Sequence, residues 1–128
     1  MEELVRAALA ARENARAPYS RFKVGAALED SQGRIHTGCN IENATYGLTV
    51  CAERVAVFKA LSEGARAFRR IAVAAGGAVL TPPCGACRQI LWEFCGDIGV
   101  VLVDLKGERE DLRLSELLPR PFDDSFLR

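Results

Sequence analysis

Residues 51–103 read CAERVAVFKALSEGARAFRRIAVAAGGAVLTPPCGACRQILWEFCGDIGVVLV, and the order of patterns in this stretch decides the fold. In Cys51–Gly64, the residues Val55, Ala56, Phe58 and Leu61 suit the buried side of a helix, and Gly64 suits its C-terminal cap. Residues 70–75 (Arg-Ile-Ala-Val-Ala-Ala) then form a short, mostly apolar strand. Pro82-Pro83 introduces a second helix, because proline is well placed just inside a helix start. Ile90, Leu91, Phe94 and Cys95 make its inward side, Gly96 ends it, and residues 98–103 are a second buried strand.

On the N-terminal side, residues 2–16 predict an amphipathic helix with Leu4, Val5, Ala8, Leu9 and Ala11 in its apolar stripe, stopped by Pro18. From Phe22 the period changes to two: Phe22, Val24, Ala26 and Leu28 alternate with Lys23, Gly25, Ala27 and Glu29. Asp30-Ser31-Gln32-Gly33 is a turn, and Ile35, Thr37 and Cys39 supply a returning strand, so the pair reads as an antiparallel hairpin. After the central stretch, Lys106-Gly107 turns the chain, 109–113 returns as a strand, and a short helical turn follows around Ser115–Leu118. Two strand–helix–strand crossovers imply a partly parallel sheet with helices packed on it. The chain of 128 residues fits one domain over 1–128, without repeats, linkers or low-complexity segments.

Composition narrows the function. Seventeen basic residues cancel 17 acidic ones, which gives no basic stripe for a long nucleic-acid backbone but leaves a free nucleoside or short loop open. No apolar run is long enough to span a bilayer, and the charged opening MEELVRAALAARENARAP does not resemble a secretory signal. A soluble, cytoplasmic protein is the expectation. Five cysteines (39, 51, 84, 87 and 95) are an odd set in such a chain, so a metal or catalytic role is favoured over a disulfide framework.

Cys84-Gly85-Ala86-Cys87 sets two thiols on one face of a helix's first turn, and Cys51 opens the other central helix. Three thiols converge if the two helix mouths sit side by side, where partial positive charge and free N–H groups favour thiolates. Structural zinc is usually closed by four ligands, whereas three protein ligands keep one position for water. His36 lies on the second strand, remote from those mouths, and reads as a packing or surface residue. Glu53, two residues after Cys51, can stand beside the metal without ligating it and carry protons for water acidified to near ~7. Three thiolates weaken that acidification, and Arg54 can offset them by donating to sulfur; a solvated helix residue is an equal reading for it. Cys39 and Cys95 read as buried small hydrophobes.

A thioredoxin-like dithiol is the rival for Cys84–Cys87, but it leaves Cys51-Ala-Glu53 unexplained and predicts a strand directly before the motif, where Gly76-Gly77 and two prolines intervene. A zinc ribbon needs a second CxxC, which is absent.

Cys51-Ala-Glu53 followed by Pro83-Cys84-Gly-Ala-Cys87-Arg-Gln resembles the zinc deaminases of cytosine and adenine. The closer resemblance is to the small homotetrameric cytidine deaminases. It runs through Ala17-Pro-Tyr-Ser-Arg-Phe22, Gly38-Cys-Asn-Ile-Glu-Asn43, both zinc motifs and Glu116-Leu-Leu-Pro119. The resemblance implies a three-layer α/β/α fold, with a mixed five-stranded sheet and helices on both faces. It implies one zinc per subunit and hydrolysis of cytidine or 2'-deoxycytidine to the uracil nucleoside with loss of ammonia, a pyrimidine-salvage reaction in which Glu53 shuttles the protons. Asn40 and Glu42 match sugar-binding positions, Phe22 the position packing on the pyrimidine, and Ala52 a substrate-binding position. Phe122 matches an aromatic inserted into a neighbour's site, and Tyr46 lies in a segment that also approaches from a neighbour, so the active sites are expected between subunits. The residue before Pro83 is usually serine or threonine in this family; here Pro82 keeps the backbone carbonyl, which would hold the leaving amine, and loses the hydroxyl and N–H. A blasticidin-type deaminase on the same fold is the runner-up, and Asn40–Asn43 favours a nucleoside over it. Outside enzymes, the alternative is a non-catalytic zinc or dithiol redox module.

Overall fold

The computed structural model describes residues 1–128. Its elements are α1 (Glu3–Arg12), β1 (Val24–Asp30), β2 (Ile35–Cys39), α2 (Ala52–Ser62), β3 (Phe68–Ala75), α3 (Gly85–Cys95), β4 (Gly99–Val103), β5 (Arg109–Arg113) and α4 (Leu114–Leu117). One five-stranded sheet runs in the order β2-β1-β3-β4-β5. β1 is antiparallel to both β2 and β3, β3 is parallel to β4, and β5 returns antiparallel to β4.

Both faces of this sheet are covered, so alternate strand residues feed two cores. On one face Leu28, Ile71, Val73, Val100 and Leu102 meet Ala52, Ala56, Val57 and Ala60 of α2 and Leu91 of α3. On the other, Ala27, Ala72, Ala74, Val101 and Val103 meet Leu4, Val5 and Ala8 of α1. That double coverage is why residues 71–75 of β3 and Gly99–Val103 of β4 are apolar at every position rather than alternating. It also explains why Gly25 and Ala27 are buried like their neighbours: they lie beneath α1. The three-layer α/β/α arrangement is the one expected.

Several local expectations shift. α1 stops at Arg12 rather than running to residue 16, because Arg16 pairs with the segment after β2: its N–H donates to the Asn40 carbonyl and its carbonyl accepts from Glu42 N–H. β1 begins at Val24, leaving Phe22 in the preceding loop. The prolines precede α3 instead of starting it; Pro83 forces Pro82 to be extended, and Cys84, itself extended (φ −67°, ψ 168°), is the N-cap. The buried side of α2 is Ala52, Glu53, Ala56, Val57 and Ala60, while Phe58 is 45% exposed and Val55 only partly covered. On α3 Leu91 is buried, but Phe94 is 43% exposed.

A close approach explains the small residues on α2. A Cβ on Gly38 of β2 would sit 2.5 Å from the Ala52 carbonyl oxygen and 2.6 Å from Ala56 N. Glycine there lets the first turn of α2 lie backbone-to-backbone on the strand, a contact that no bulky side chain on that face allows.

β2 and β3, both antiparallel to β1, point the same way. Their carboxyl ends therefore share one end of the sheet with the start of β1. The loops 40–51 and 76–84 rise from that end and lead into α2 and α3. The mouths of both helices are thus brought together by topology, where ligands of open α/β sheets are bound.

Candidate active site

Cys51 is the N-cap of α2, Cys84 the N-cap of α3, and Cys87 lies in α3's first turn. Their three sulfurs lie within 4.8 Å of one another, close enough to hold one metal ion. Cys87 is buried, Cys51 partly buried and Cys84 exposed. Arg54 donates from Nη2 to Cys51 Sγ at 3.1 Å, while its Nε is buried without a partner. Soft thiolates at two helix N-termini, with a guanidinium beside them, fit zinc and leave one of its four positions free of protein. The Cys51 thiol is pulled down to about 5, first by the S–H that Cys87 donates to it and then by Arg54. The same bond, burial and the nearby Glu53 charge push Cys87 up. Cys39 and Cys95 stand outside the cluster as free thiols, and burial raises Cys95 to about 12.

Glu53 is 5% exposed and follows Cys51 by two residues on α2's buried face. Burial raises its carboxyl to about 7, and the Cys51 thiolate adds to the shift. His36 lies away from the metal ligands: its Nε2 is 3.0 Å from Asp30 Oδ2 and its Nδ1 3.2 Å from Glu63 Oε1.

Next to the sulfurs opens a cavity of about 250 Å³. Phe22, Asn40, Glu42, Cys51, Ala52, Glu53, Pro82 and Cys84, all singled out in the sequence, line it. Ser20, Val24, Thr49, Val73 and Thr81 complete the lining and were not singled out. Ser20, Thr49 and Thr81 come from three loops and Val24 and Val73 from β1 and β3, which meet only when the sheet forms, so no local spacing marks them.

Asn40 and Glu42 have a task beyond facing the cavity. Asn40 Nδ2 donates to the Phe22 carbonyl at 2.8 Å, and its Oδ1 accepts from Val24 N–H at 2.9 Å. Glu42 Oε1 accepts from the Tyr19 and Ser20 N–H groups at 2.9 and 3.1 Å, and Oε2 accepts from the Ser20 hydroxyl. Those bonds, the Ser20 hydroxyl foremost, hold Glu42 below the usual carboxylate range. They also fasten a turn in which Arg21 adopts a left-handed backbone (φ 59°), a conformation that costs a non-glycine residue ~1–2 kcal/mol. The polar pair therefore shapes the wall that carries Phe22.

Tyr46 and Phe122 are not part of this chain's own cavity. Tyr46 is 76% exposed and meets Tyr19 edge-on, with ring centroids 6.1 Å apart. Phe122 is 58% exposed, stacks on Phe126 at 5.5 Å, and has its backbone gripped by the Gln89 side-chain amide, which donates to its carbonyl and accepts its N–H.

A mixed sheet whose helix mouths gather three thiols and a buried carboxylate defines a metal-binding α/β/α protein. A family model described as the cytidine and deoxycytidylate deaminase zinc-binding region matches residues 1–104. A cytidine deaminase of Halalkalibacterium halodurans is 53% identical over 120 residues, 93% of this chain and 91% of the relative. One from Sporosarcina psychrophila is 50% identical over 123 residues, covering 95% and 90%. The crystal structure of a cytidine deaminase from Burkholderia pseudomallei superposes with a TM-score of 0.90 at 48% identity, covering 95% of this chain and 100% of that one. The chain belongs to the zinc-binding cytidine and deoxycytidylate deaminase family.

Proposed function

We propose that this protein is a cytidine deaminase, which hydrolyses cytidine and 2'-deoxycytidine to uridine and 2'-deoxyuridine with release of ammonia. The observation that carries the proposal is Glu53: a carboxyl raised to about 7 and 5% exposed, beside three metal-binding sulfurs in a nucleoside-sized cavity. Cys51, Cys84 and Cys87 hold zinc, which when bound supplies Lewis acidity that brings the pKa of water toward ~7. Glu53 takes one proton from the attacking water and delivers it to pyrimidine N3 as the C4–O bond forms. It then carries the second proton to the exocyclic amine, and the C4–N bond breaks to release ammonia. A carboxyl poised near neutrality suits both acceptance and return of a proton.

Phe22 packs on the pyrimidine, and the helix α2 start at Ala52 offers N–H groups to the base. The capacity that Asn40 and Glu42 retain after their backbone bonds serves the sugar hydroxyls. The acidic Glu42 at that end favours a neutral nucleoside over a phosphorylated one. Arg54 tempers the thiolates. The exposed Tyr46 and Phe122, outside their own cavity, support a homotetramer in which neighbours complete each site. Reduced thiols of this kind belong in the cytoplasm.

The test is an ultraviolet assay of cytidine with the zinc-loaded protein. Expected are uridine and ammonia in equal amounts, with activity lost to a zinc chelator and regained with zinc. No turnover, or a reducible Cys84–Cys87 disulfide in place of metal, overturns the reading in favour of a redox module.

A further inference from the structure

We propose that the chain carries a second binding site, for a polyphosphate anion, in the groove between the end of α1 and the loop that follows it. Arg12, Ala17, Pro18, Arg21 and Lys23 line this groove, whose volume is about 590 Å³. Three cations face it and no acid does. Elsewhere the chain, neutral as a whole, keeps many of its charges in pairs: Arg34 meets Asp30, Arg70 meets Glu2 and Glu29, Arg109 meets Asp111, and Arg113 meets Asp97. The only carboxylate bonded to a groove cation is Glu13, 3.2 Å from Arg12 Nη1, and the side chains of Arg21 and Lys23 bond to nothing in the chain. Like charges gathered without a counter-charge repel one another, and a bound anion relieves that repulsion.

The groove is held in shape by the fold. Arg12 Nε donates to the Lys23 carbonyl at 3.2 Å, and the Arg12 side chain is only 18% exposed. α1 lies tight on β1 there, since a Cβ on Gly25 would stand 2.5 Å from Arg12 N. Arg21, at φ 59°, sits in the turn that Glu42 fastens. Guanidinium forks and an ammonium are the donors that phosphate oxygens take best, and three of them match an anion of several charges. They are too few to hold a long nucleic-acid backbone. The groove also shares a wall with the active cavity. Ser20, Phe22 and Val24 line the cavity on the α2 side of the sheet, whereas Arg21 and Lys23, alternating with them, line the groove on the α1 side. An anion that ties Arg21 and Lys23 to Arg12 therefore fixes the segment bearing Phe22. On the deaminase reading this steadies the ring against the base in ground and transition states alike, which lowers KM and leaves kcat unchanged. By linkage, a bound nucleoside tightens anion binding by the same factor.

The experiment is titration calorimetry of the zinc-loaded full chain with inorganic tripolyphosphate, against the double variant R21Q/K23Q. K23Q alone serves should the pair fold poorly. Wild type should bind one anion per chain, more weakly as salt rises. The double variant should bind about tenfold more weakly or worse, with its anion-free turnover of cytidine unchanged. Both proteins keep the zinc ligands, so metal taken up by the probe affects them equally. ATP in place of tripolyphosphate separates the two sources of this chemistry: tighter binding, lost in the same variant, assigns a nucleoside triphosphate, and equal or weaker binding assigns a free polyphosphate. Absence of binding at millimolar probe, or equal affinity in wild type and variant, overturns the site. Tighter binding of a short single-stranded RNA overturns it in favour of a nucleic acid. With tripolyphosphate saturating, KM for cytidine should fall about fivefold in wild type alone; an unchanged KM overturns the coupling through Phe22. Failure of wild type to turn over cytidine at all would instead overturn the deaminase reading, and calorimetry would still decide the anion site.

Discussion

Burial works on Glu53 in a direction that a surface carboxylate never experiences. On α2's inner face and beside a thiolate its carboxyl is raised to about 7, which suits the proton transfer proposed for it. Glu53→Gln keeps the shape and the metal ligands but cannot shuttle protons. It should retain one zinc per chain by metal analysis while cytidine turnover falls by about 10²–10⁴-fold; a loss below tenfold would remove Glu53 from the chemistry. A different carboxylate, Asp30, does its work in stability. Its hydrogen bond with His36, together with the Arg34 and Gln32 N–H groups, keeps its pKa well below the usual carboxylate value. The stabilisation is therefore complete above the unfolded value of ~3.9 and is lost as pH falls through the lower folded value. Asp30→Asn should melt below wild type at pH 7, with the gap closing as pH drops below about 4; a pH-independent gap would point to shape alone. At this scale the sequence was most readable, since ligand chemistry is written in residue type and spacing: Cys51, Glu53, Cys84 and Cys87 sit within single helical turns. Thr81 and Thr49 were not readable, because nothing local says which loops will face each other.

Among the elements, α2 matters most, since it carries Cys51, Glu53 and Arg54 together. Its seat on Gly38 sets how deep Glu53 reaches. Gly38→Ala would drive a Cβ into the Ala52 carbonyl and Ala56 N, so the helix start must lift from the strand. Activity and melting temperature should fall together, by about 1–3 kcal/mol for the overpacking; unchanged melting would mean the contact relaxes freely. Hydrophobicity misdirected the reading of this helix. Val55 and Phe58 are large and apolar yet stand partly or largely exposed, while the buried face, Val57 and Glu53 apart, is alanine, because the backbone approach of its first turn to β2 leaves little room for bulk. The prolines before α3 misled similarly, because a capping Cys84 was not foreseen from the proline signal alone.

For the molecule as a whole, strand count and the two crossovers were legible, since double-sided burial makes β3 and β4 read as continuous apolar runs. How chains assemble is a matter of surfaces, and Phe122 tests it. In the proposed tetramer, Phe122→Ala and Glu53→Ala subunits, each poorly active alone, should on mixing and reassembly recover roughly a quarter of the sites by random assortment. No recovery would place each site within one chain. The arrangement of the sheet has a practical side. Everything that lines the cavity gathers at one end, while the exposed β1–β2 turn around Gln32 lies at the other, about 20 Å away along a seven-residue strand. A dye or a surface linker attached at Gln32 would sit far from the cavity and its lining, so this turn is the natural handle for immobilising the catalyst.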